Sequence, residues 1–386
     1  MIVWVRSLAL DDFRSYAHVE CTFEPGVNVL IGRNGQGKTN VLEAIGYVAA
    51  QRSHRASNDQ MLVRRSCERS LIACDIQDGG QTVGVDLAII PGRANRARVN
   101  KVAVSRARDA LGYLRAVVFS PEDLALVKGD PAARRSFLDD LLVQRQPRMH
   151  AVLEDFERAL RQRNALLKAA RERRSSRESS ETSLAVWDEQ VALAGGSLVS
   201  ARIALTEQLR APFTLAYAEI TARGAGDGDS ADLDYRASWL DEPTDAPQRG
   251  DADVLAEVLH AALIAARGND LARGVTTVGP QRDDLDIHLD GVTARGYASH
   301  GESWSLALAL RLAAFRLLCQ IGPTPVLLLD DVFAELDTRR RTSLATAIAG
   351  AEQVIVTAAV EEDVPMHGPL RILDIDDGHI RPRELQ

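Results

Sequence analysis

The sequence predicts an α/β fold that is interrupted by an inserted helical domain, and three observations carry this prediction. Short β-rich runs alternate with helical segments at both ends of the 386-residue chain. Between Pro131 and Arg267, long segments rich in Ala, Leu and Arg instead show helical periodicity and few β-formers. A glycine-rich loop lies in the first α/β part, and an apolar strand that ends in two aspartates lies in the second. We therefore expect the two α/β parts to form a single core.

The first α/β part is predicted to occupy residues 1–128. β-forming residues flank a turn at Pro25-Gly26, and a helix with apolar residues at helical spacing follows the glycine-rich loop. Beyond it, β-rich runs punctuated by Gly and Pro predict an antiparallel sheet appended to this part. The predicted elements are strands Ile2–Val5, Cys21–Phe23 and Val27–Ile31, helix Asn40–Ala50, and sheet strands Ser70–Ile76, Thr82–Ile90 and Ala116–Phe119.

The inserted helical arm is predicted to span residues 129–272, and the second α/β part residues 273–386. The arm lacks sustained heptads, which indicates a compact helical domain rather than a long coiled coil. Its predicted helices are Pro131–Arg145, Arg148–Arg173, Leu184–Arg210 and Ala252–Arg267, with breaks at Arg174–Thr182, Gly224–Asp232 and Asp241–Asp251. The second α/β part is predicted to contain strands Asp284–Leu289, Val326–Leu329, Gln353–Val356 and Arg371–Ile375, and helices Ser303–Gln320 and Thr338–Ala349.

Composition and charge bound the class of protein. The hydrophobic fraction of 46% and the charged fraction of 26% are typical of a globular protein. No apolar run approaches the roughly 20 residues that span a bilayer, and the start of the chain is too soon charged for a secretory signal. The four cysteines have no metal-ligand spacing. We therefore expect a cytoplasmic protein without a membrane partner.

A glycine-rich segment predicts a phosphate-binding loop. Gly32-Arg33-Asn34-Gly35-Gln36-Gly37-Lys38-Thr39 fits the pattern G-x-x-x-x-G-K-[ST] in full, with an apolar strand before it and an amphipathic helix after it. Glycines let backbone N–H groups converge on phosphate oxygens, and the helix N-terminus adds its dipole. We expect Lys38 to reach the β- and γ-phosphates of ATP and the Thr39 hydroxyl to bind Mg²⁺. A chance glycine-rich turn is the alternative.

The apolar strand Val326–Leu329 ends in Asp330 and Asp331. Parallel strands deliver side chains at their carboxyl ends, where ligands bind in open α/β sheets. We predict that Asp330 holds magnesium, directly or through water, and that Asp331 acts as general base toward the attacking water. Solvated acids at a strand end are the alternative. Asp337 follows, and it either contributes to the nucleotide site or caps the helix that begins at Thr338.

The segment Ser299-His-Gly301-Glu302 opens a helix, and it has two interpretations. In the structural one, Ser299 and Glu302 form a capping box that seals the helix start. In the functional one, this helix N-terminus binds the γ-phosphate of a nucleotide held by a second copy of the chain. The two are compatible, because a capped helix and an anion site use the same donors. The position of the segment, one helix before the aspartate strand, is typical of ATPases whose sites form between two protomers.

These motifs, in this order, resemble the RecF family, bacterial recombination-repair ATPases related to SMC proteins and ABC-type ATPases. The resemblance covers essentially the full length, and it includes segments that are more specific than the phosphate loop. It implies a head of the ABC/SMC ATPase type, with mixed sheets and helices, and an inserted α-helical arm. The further segments that carry it are Leu10–Tyr16, Leu42–Ile45, Arg52–Ser57, Val118–Leu124, Val127–Asp139, Glu157–Leu167, Gly279–Asp284 and Leu329–Asp337.

The resemblance also implies a function. It implies weak, DNA-stimulated ATP hydrolysis that acts as a timer, with ATP and Mg²⁺ as cofactors. It implies an ATP-dependent homodimer in which Ser299, Gly301 and Glu302 of one copy cover the nucleotide of the other. It further implies binding to DNA at single-strand/double-strand junctions near gaps, with RecO and RecR as partners in loading RecA.

Two positions depart from related proteins. Gln281 stands where the RecF family usually has histidine in Gly-Pro-His-Arg-Asp. In many ABC-type ATPases a histidine follows the strand after the aspartates, whereas this chain has Thr357-Ala358 there. We therefore do not expect a histidine switch that senses the γ-phosphate.

Basic residues suggest a DNA-binding surface. The net charge of −8 argues weakly against it, but six Arg and Lys residues fall between Arg93 and Arg108 without a carboxylate among them. They either contact DNA phosphates or form a solvated basic face. The lack of interleaved aromatic residues favours duplex backbone over single-strand stacking. The predicted DNA contacts are Arg55, Arg64, Arg65, Arg93, Arg96, Arg98 and Lys101.

Two other functions remain as alternatives. The ATP subunit of a membrane transporter would have a much shorter segment between phosphate loop and aspartate strand, whereas here a helical arm separates them. A purely structural SMC-type tether would need heptads sustained well beyond those available between Pro131 and Arg267. Neither agrees well with the sequence.

Overall fold

The computed structural model describes residues 2–53, 55–56, 58–173, 177–221, 230–240, 250–365 and 369–383. The chain divides into two compact units. The first consists of Met1–Val127, Pro212–Asp229 and Ala298–Gln386, and the second of Lys128–Ala211 and Ser230–Tyr297. The first unit thus combines residues from both ends of the chain. The predicted arm limits of 129 and 272 stay a prediction, and the unit that contains the arm helices continues to Tyr297.

The fold is of the mixed α/β class that the sequence predicts. Among the described residues, no helix combines the length and the apolar character that a membrane span requires. The strands are β1 (Val3–Phe13), β2 (Tyr16–Thr22), β3 (Gly26–Ile31), β4 (Ser70–Asp78), β5 (Gln81–Ile89), β6 (Arg96–Val99), β7 (Val102–Ala103), β8 (Ala116–Phe119), β9 (Ala231–Arg236), β10 (Asp284–Leu289), β11 (Val292–Thr293), β12 (Val326–Asp330), β13 (Gln353–Ala358), β14 (Leu370–Asp376) and β15 (His379–Pro382). The helices are α1 (Lys38–Ala50), α2 (Leu124–Lys128), α3 (Pro131–Arg145), α4 (Met149–Arg173), α5 (Arg177–Thr221), α6 (Ala252–Arg273), α7 (His300–Cys319) and α8 (Thr338–Ile348).

One sheet of the first unit is antiparallel, with the strand order β2-β1-β4-β5-β6-β7. Alternate side chains of β1 are buried in the core, and a register shift between Val5 and Ser7 moves the buried set from odd to even positions, such as Leu8. The predicted strands Ile2–Val5 and Cys21–Phe23 correspond only to the start of β1 and the end of β2. Polar residues interrupt the apolar pattern in between, so the pattern underestimates both lengths.

The other sheet of the first unit has the order β15-β14-β3-β13-β12-β8, and all neighbours except β14 and β15 are parallel. Every residue of β12 and β13 is buried, as expected for strands covered on both faces. This sheet includes β8, because Ala116–Phe119 pair in parallel with Val326–Leu329. Their predicted place in the antiparallel sheet is therefore wrong. A four-residue apolar run suits a buried parallel strand equally well, and its sequence does not identify its neighbours.

The direction of the parallel strands positions the candidate site. Helix α1 packs against β8 and β12, and α7 packs against β8 and α8. Because β3, β12 and β13 are adjacent and parallel, they end at the same edge of the sheet. The loop that follows β3, the aspartates at the end of β12 and Thr357 near the end of β13 therefore lie at that edge.

The second unit contains α3, α4, α6, most of α5 and a three-stranded antiparallel sheet in the order β11-β10-β9. Strand β9 is missing from the prediction because its alternating acidic and apolar residues resemble a polar loop. Helix α5 is longer than the predicted Leu184–Arg210 and continues through Pro212. The predicted breaks are wrong at residues 177–182, which belong to α5, and at residues 231–232, which belong to β9. Residues 174–176, 224–229 and 241–249 of those breaks lie outside the described residues.

Buried ion pairs stabilise the second unit, and they involve two of the segments that carry the family resemblance, Val127–Asp139 and Gly279–Asp284. Arg134 donates to both carboxylate oxygens of Asp284, at 2.7 and 2.8 Å. Arg202 donates to both oxygens of Asp139, each at 2.8 Å. Removing one member of such a pair would strand a buried charge, at a cost of about 3–5 kcal/mol. These segments therefore have a structural role in the second unit.

A third buried cluster is centred on Arg163, whose side chain is 0% exposed. Its guanidinium donates to Asp188 at 2.6 Å, to Asp270 at 2.7 Å and to the Thr276 hydroxyl at 2.8 Å. Both carboxylates are likewise completely buried. The cluster joins α4, α5 and α6, so it fixes the relative positions of these helices.

Asp283 lies in the segment Gly279–Asp284, directly before β10, and its carboxylate is buried. Tyr235 Oη donates to it at 2.8 Å and Trp239 Nε1 at 2.9 Å. Burial raises the pKa of Asp283 to about 6, although these donors act in the opposite direction. Gln281, the residue that replaces the usual histidine of this segment, donates to the Val278 carbonyl at 2.8 Å.

Candidate functional site

The glycine-rich loop occupies residues 32–37, between β3 and α1. Gly35 and Gly37 adopt left-handed backbone conformations, with φ of +86° and +99°, that other residues rarely adopt. At Gly32 a Cβ atom would lie 2.6 Å from the carbonyl oxygen of Ile375. Among the described residues, no side chain caps the N-terminus of α1. The loop therefore leaves backbone N–H groups available to an anion.

Lys38 reaches back over this loop. The residue is only 3% exposed, and its ammonium donates to the carbonyl oxygens of Gly32 at 2.7 Å and Arg33 at 3.4 Å and to Asn34 Oδ1 at 3.3 Å. A positive charge is thus held at the start of α1 by oxygens of the loop itself. This arrangement suits phosphate oxygens.

Two contacts fix the remaining part of the loop. Gln36 Oε1 accepts a hydrogen bond from the backbone N–H of Asp377 at 3.0 Å. The ring of Tyr16 lies so close to Gly37 that a Cβ there would be 2.7 Å from the phenol oxygen. Burial raises the pKa of Tyr16, so this phenol stays neutral. The loop is therefore held from two sides, by β2 and by the turn between β14 and β15.

Asp330 receives hydrogen bonds from both neighbouring elements. Its Oδ1 accepts from the Thr39 hydroxyl at 2.8 Å and from the Thr357 hydroxyl at 2.9 Å. Burial raises the pKa of Asp330 above its usual range, and these two donors act against that rise. A buried carboxylate of this kind gains from a nearby cation.

The donor set at this point fits magnesium. The Thr39 hydroxyl and the Asp330 carboxylate are hard oxygen ligands, which Mg²⁺ prefers, and it usually keeps several waters as well. Among the described residues, no group of three or more His, Cys, Asp and Glu side chains could hold a metal ion. Magnesium at this site would therefore take its remaining ligands from phosphate and water.

Asp331 has a strained backbone, with φ of +48° in the left-handed region. Its N–H donates to the Thr357 hydroxyl oxygen at 2.8 Å, and its carboxylate Oδ1 lies 3.3 Å from the same atom. Asp331 lines a cavity of about 230 Å³ together with Asn34 and Thr357. The aspartate predicted as general base therefore faces a space beside the loop that is large enough for a water molecule.

Thr357 is a site residue that belongs to none of the sequence motifs. It lies in β13 directly beside Asp330 of β12, and its single hydroxyl contacts both aspartates. The sequence pattern indicates only that a histidine is missing here. Thr357 could have been identified as a site residue by aligning the ends of two neighbouring parallel strands, because that alignment places it beside Asp330.

The segment 299–302 forms the predicted capping box at the start of α7. Ser299 Oγ accepts from the N–H of Glu302 at 3.3 Å, and Glu302 Oε2 accepts from the N–H of Ser299 at 2.8 Å. Asp337 caps α8 in the same manner, since its Oδ1 accepts from the N–H of Arg340 at 2.9 Å. The structural interpretation therefore holds at both positions. Contact of Ser299, Gly301, Glu302 and Asp337 with a nucleotide stays a prediction.

Two of the predicted DNA contacts are engaged by carboxylates. Arg55 lies 3.3 Å from Glu122 and 3.8 Å from the buried Glu43. Arg64 lies 3.4 Å from Asp12. These pairs reduce the charge that either arginine can offer to a phosphate. DNA contact by Arg55, Arg64 and the exposed Arg65 stays a prediction.

The remaining predicted DNA contacts lie on or beside β6. Arg96 and Arg98 are exposed and alternate with the buried Ala97, so they share the outer face of the antiparallel sheet. Asp86 lies directly opposite Arg98 in the pairing of β5 with β6. Exposed Arg93 precedes β6, and exposed Lys101 lies in the turn to β7. The structure thus brings four basic residues to one sheet end, and their contact with DNA stays a prediction.

Known relatives are similar to the chain along nearly its whole length. Residues 4–368 match the RecF/RecN/SMC N-terminal domain family. The protein of Frankia alni called DNA replication and repair protein RecF is 54% identical over 93% of this chain and 94% of its own length. Its namesakes in Kineococcus radiotolerans and Streptomyces avermitilis are 51% and 50% identical over 94% of this chain and over 94% and 95% of their own lengths.

Solved structures agree with these similarities. Two structures of the recombination mediator protein RecF in the RecFOR pathway, RecF-ATPrS and RecF-ATP, match with TM-scores of 0.85 and 0.82 at 27% and 26% identity. Each match covers 99% of this chain, with 98% and 99% of the other. An Smc head domain from Pyrococcus furiosus matches with a TM-score of 0.52 at 18% identity, over 100% of this chain and 96% of its own. That likeness concerns the fold alone.

The fold and the loop–aspartate edge define the class of protein, a head of the ABC/SMC ATPase type. Within this class, the relatives that are 50–54% identical to the chain are RecF proteins. The chain belongs to the RecF family of DNA replication and repair proteins.

Proposed function

We propose that this protein binds ATP with Mg²⁺, closes with a second copy over two nucleotides to hold DNA, and hydrolyses ATP slowly to reset. One observation carries the proposal. The Thr39 hydroxyl donates to Asp330 Oδ1 at 2.8 Å, although these residues are 291 positions apart. The contact joins the helix start after the phosphate loop to the end of the aspartate strand, which is the arrangement that a phosphate and magnesium site requires.

The residues around this contact would bind different parts of the ATP–Mg²⁺ complex. Loop N–H groups and the Lys38 ammonium would hold the phosphates, and Thr39 and Asp330 would hold Mg²⁺. ATP, when bound, supplies the phosphoryl group that is hydrolysed. The RecF-ATP structure of a relative supports ATP as the nucleotide. The proposed phosphate-binding set is Gly32, Arg33, Asn34, Gly35, Gln36, Gly37, Lys38 and Thr39.

Asp331 would act as general base in hydrolysis. Its carboxylate lines the cavity beside the loop, where it could accept a proton from the attacking water. Thr357 would hold the carboxylate in place, because its hydroxyl oxygen accepts the N–H of Asp331 at 2.8 Å. Aspartate is shorter than the glutamate typical of ABC ATPases, and a carboxylate set further back agrees with slow turnover.

The dimer proposal concerns the starts of two helices. Ser299, Gly301 and Glu302 form the first turn of α7, a helix long enough to carry a full dipole. In a closed dimer this turn would cover the γ-phosphate of the nucleotide in the partner. Asp337 begins α8, and it would approach the same interface.

DNA binding is proposed from the relatives and from the basic residues together. The relatives carry the name DNA replication and repair protein RecF, and two solved structures that are similar to this chain are of the recombination mediator protein RecF in the RecFOR pathway. We propose junctions of single- and double-stranded DNA near gaps as the substrate, RecO and RecR as partners, and RecA loading as the outcome. Exposed Arg96, Arg98 and Lys101 would contact phosphates, so binding should weaken steeply as salt is raised.

Sedimentation of the whole protein with and without ATP, Mg²⁺ and gapped DNA tests the proposal. Wild type should sediment as a dimer only with ATP, and gapped DNA should stimulate hydrolysis. Lys38→Arg should lose tight ATP binding, Ser299→Arg should bind ATP without dimerising, and Asp331→Asn should dimerise but hydrolyse slowly. Thr82→Arg adds the same side chain at an exposed position of the antiparallel sheet and should behave as wild type. Dimerisation of Ser299→Arg with ATP, or normal hydrolysis by Asp331→Asn, would show that these roles are wrongly assigned.

A further inference from the structure

Arg340 bridges two segments that the proposed dimer would use. Its Nε donates to the hydroxyl oxygen of Ser305, in α7, at 2.9 Å. Its Nη1 pairs with the carboxylate of Asp337, at the start of α8. Asp337 also accepts the backbone N–H of Arg340 at 2.9 Å. One guanidinium therefore ties the cap of α8 to the first turns of α7.

The bridge continues to the turn at 299–302. Ser305 is completely buried, and its hydroxyl donates to the carbonyl oxygen of Gly301 at 3.0 Å. It thus accepts from Arg340 and donates to Gly301. A continuous chain of hydrogen bonds runs from the Asp337 carboxylate through Arg340 and Ser305 to this turn.

The guanidinium of Arg340 also lies close to Gly301. A Cβ at Gly301 would lie 2.8 Å from Nη2 of Arg340 and 3.3 Å from its central carbon. Gly301 does not need a left-handed backbone, since it lies in the first turn of α7. A side chain at this position would therefore require the Arg340 guanidinium to shift.

The chemistry of arginine suits a bridge of this kind. A planar guanidinium offers five donors in a fixed fork, so it can hold a carboxylate and a hydroxyl at a set angle. The Arg340 side chain is 27% exposed, so solvent screens its pairing with Asp337 to some extent. The bond to buried Ser305 is protected from that screening.

We propose that Arg340 is a positioning residue that sets the turn at 299–302 and Asp337 as one unit. The inference rests on the proposed function, in which both segments face a second copy and its nucleotide. Arg340 touches neither nucleotide nor metal in this scheme. Arg340 acts by keeping the turn at 299–302 and Asp337 at a fixed relative position when the dimer closes.

Hydrogen exchange of the whole protein without nucleotide tests the bridge itself. Arg340→Gln should raise amide exchange about tenfold in both segments, residues 299–305 and 337–341, because a single guanidinium stabilises both. Arg381→Gln removes the same charge at an exposed residue of β15 and serves as the control. Unchanged exchange at 299–305 in Arg340→Gln, or an equal effect in Arg381→Gln, overturns the inference.

Sedimentation with ATP and Mg²⁺ tests its consequence. Arg340→Gln should weaken self-association about tenfold and change ATP binding less than about twofold. Arg340→Lys keeps the charge but loses the fork, so it should stay impaired. Full association of Arg340→Gln contradicts the inference. If wild type itself does not bind ATP or associate with it, the proposed function fails, and the exchange experiment still decides whether the bridge exists.

Discussion

Replacing Thr357 with valine removes one hydroxyl and hardly changes side-chain volume. In the folded protein that hydroxyl accepts the N–H of Asp331 at 2.8 Å and donates to Asp330 at 2.9 Å, at a residue that is 2% exposed. A buried polar group left without its partner costs about 1–3 kcal/mol. Water in the adjacent cavity can replace part of the loss. We therefore expect Thr357→Val to lower the free energy of unfolding by about 1–3 kcal/mol.

The same substitution should affect hydrolysis more than ATP binding. Loss of the hydrogen bond to its N–H frees Asp331 from a left-handed conformation, with φ of +48°, that is otherwise unfavourable. A shift of about 1 Å in a catalytic group can cost roughly 100-fold in rate, so we expect kcat to fall about 10- to 100-fold. KM for ATP should change little, because the phosphate loop is untouched.

Steady-state ATP hydrolysis and urea unfolding of wild type, Thr357→Val and Thr357→Ser give the comparison. Serine keeps the hydroxyl and loses one methyl group, so it should retain most of the turnover. Wild-type turnover in the valine variant would refute the positioning role of Thr357. So would a serine variant as slow as the valine one, since the hydroxyl would then be irrelevant.

Three further predictions concern other positions. Arg163→Met leaves the buried Asp270 carboxylate without its cation, while Asp188 keeps Arg267, so urea unfolding should show a loss of about 3–5 kcal/mol, and a loss near zero would contradict the cluster's role. Asp283 has a folded pKa of about 6, above its ordinary 3.8, so the folded protein keeps this carboxyl protonated to a higher pH than the unfolded chain does. Its contribution to the free energy of unfolding is therefore complete below pH 3.8 and is lost as the pH rises through 6. Asp283→Asn should remove this fall of about 3 kcal/mol in unfolding free energies measured from pH 4 to 7, and an unchanged slope would refute it. Gly37→Ala forces a side chain into a left-handed conformation against Tyr16, so calorimetry should show ATP binding weakened at least about tenfold, while wild-type affinity would contradict this.

Local pattern predicts much of this fold because most elements have their own signal. The predicted strand, loop and helix around Gly32–Thr39 are confirmed. In this region β-forming residues, glycines and helically spaced apolar residues follow one another without overlap. Partners across the sheet have no such signal. Strand β8 pairs with β12, more than two hundred positions later, and four apolar residues cannot specify that neighbour. The sequence analysis misses strand β9 for another reason, because the acidic residues on its exposed face resemble those of a loop.

Residues of the candidate site also differ in whether a local sequence motif identifies them. Lys38, Thr39 and Asp330 belong to motifs whose residue types follow from phosphate and magnesium chemistry, so their convergence could be predicted. Thr357 and Arg340 belong to no such motif. Threonine and arginine are common, and only the alignment of neighbouring elements makes these two important.

The position of β3 in the parallel sheet has a consequence for how the protein is made. Its two neighbours, β13 and β14, are synthesised only after the whole second unit. While the ribosome works, β3 therefore has two unpaired edges and its glycine-rich loop has no aspartate strand beside it. Such edges are open to wrong pairing, and contacts so distant in sequence form slowly. The ability to bind nucleotide would therefore arise only after β12, β13 and β14 have been synthesised.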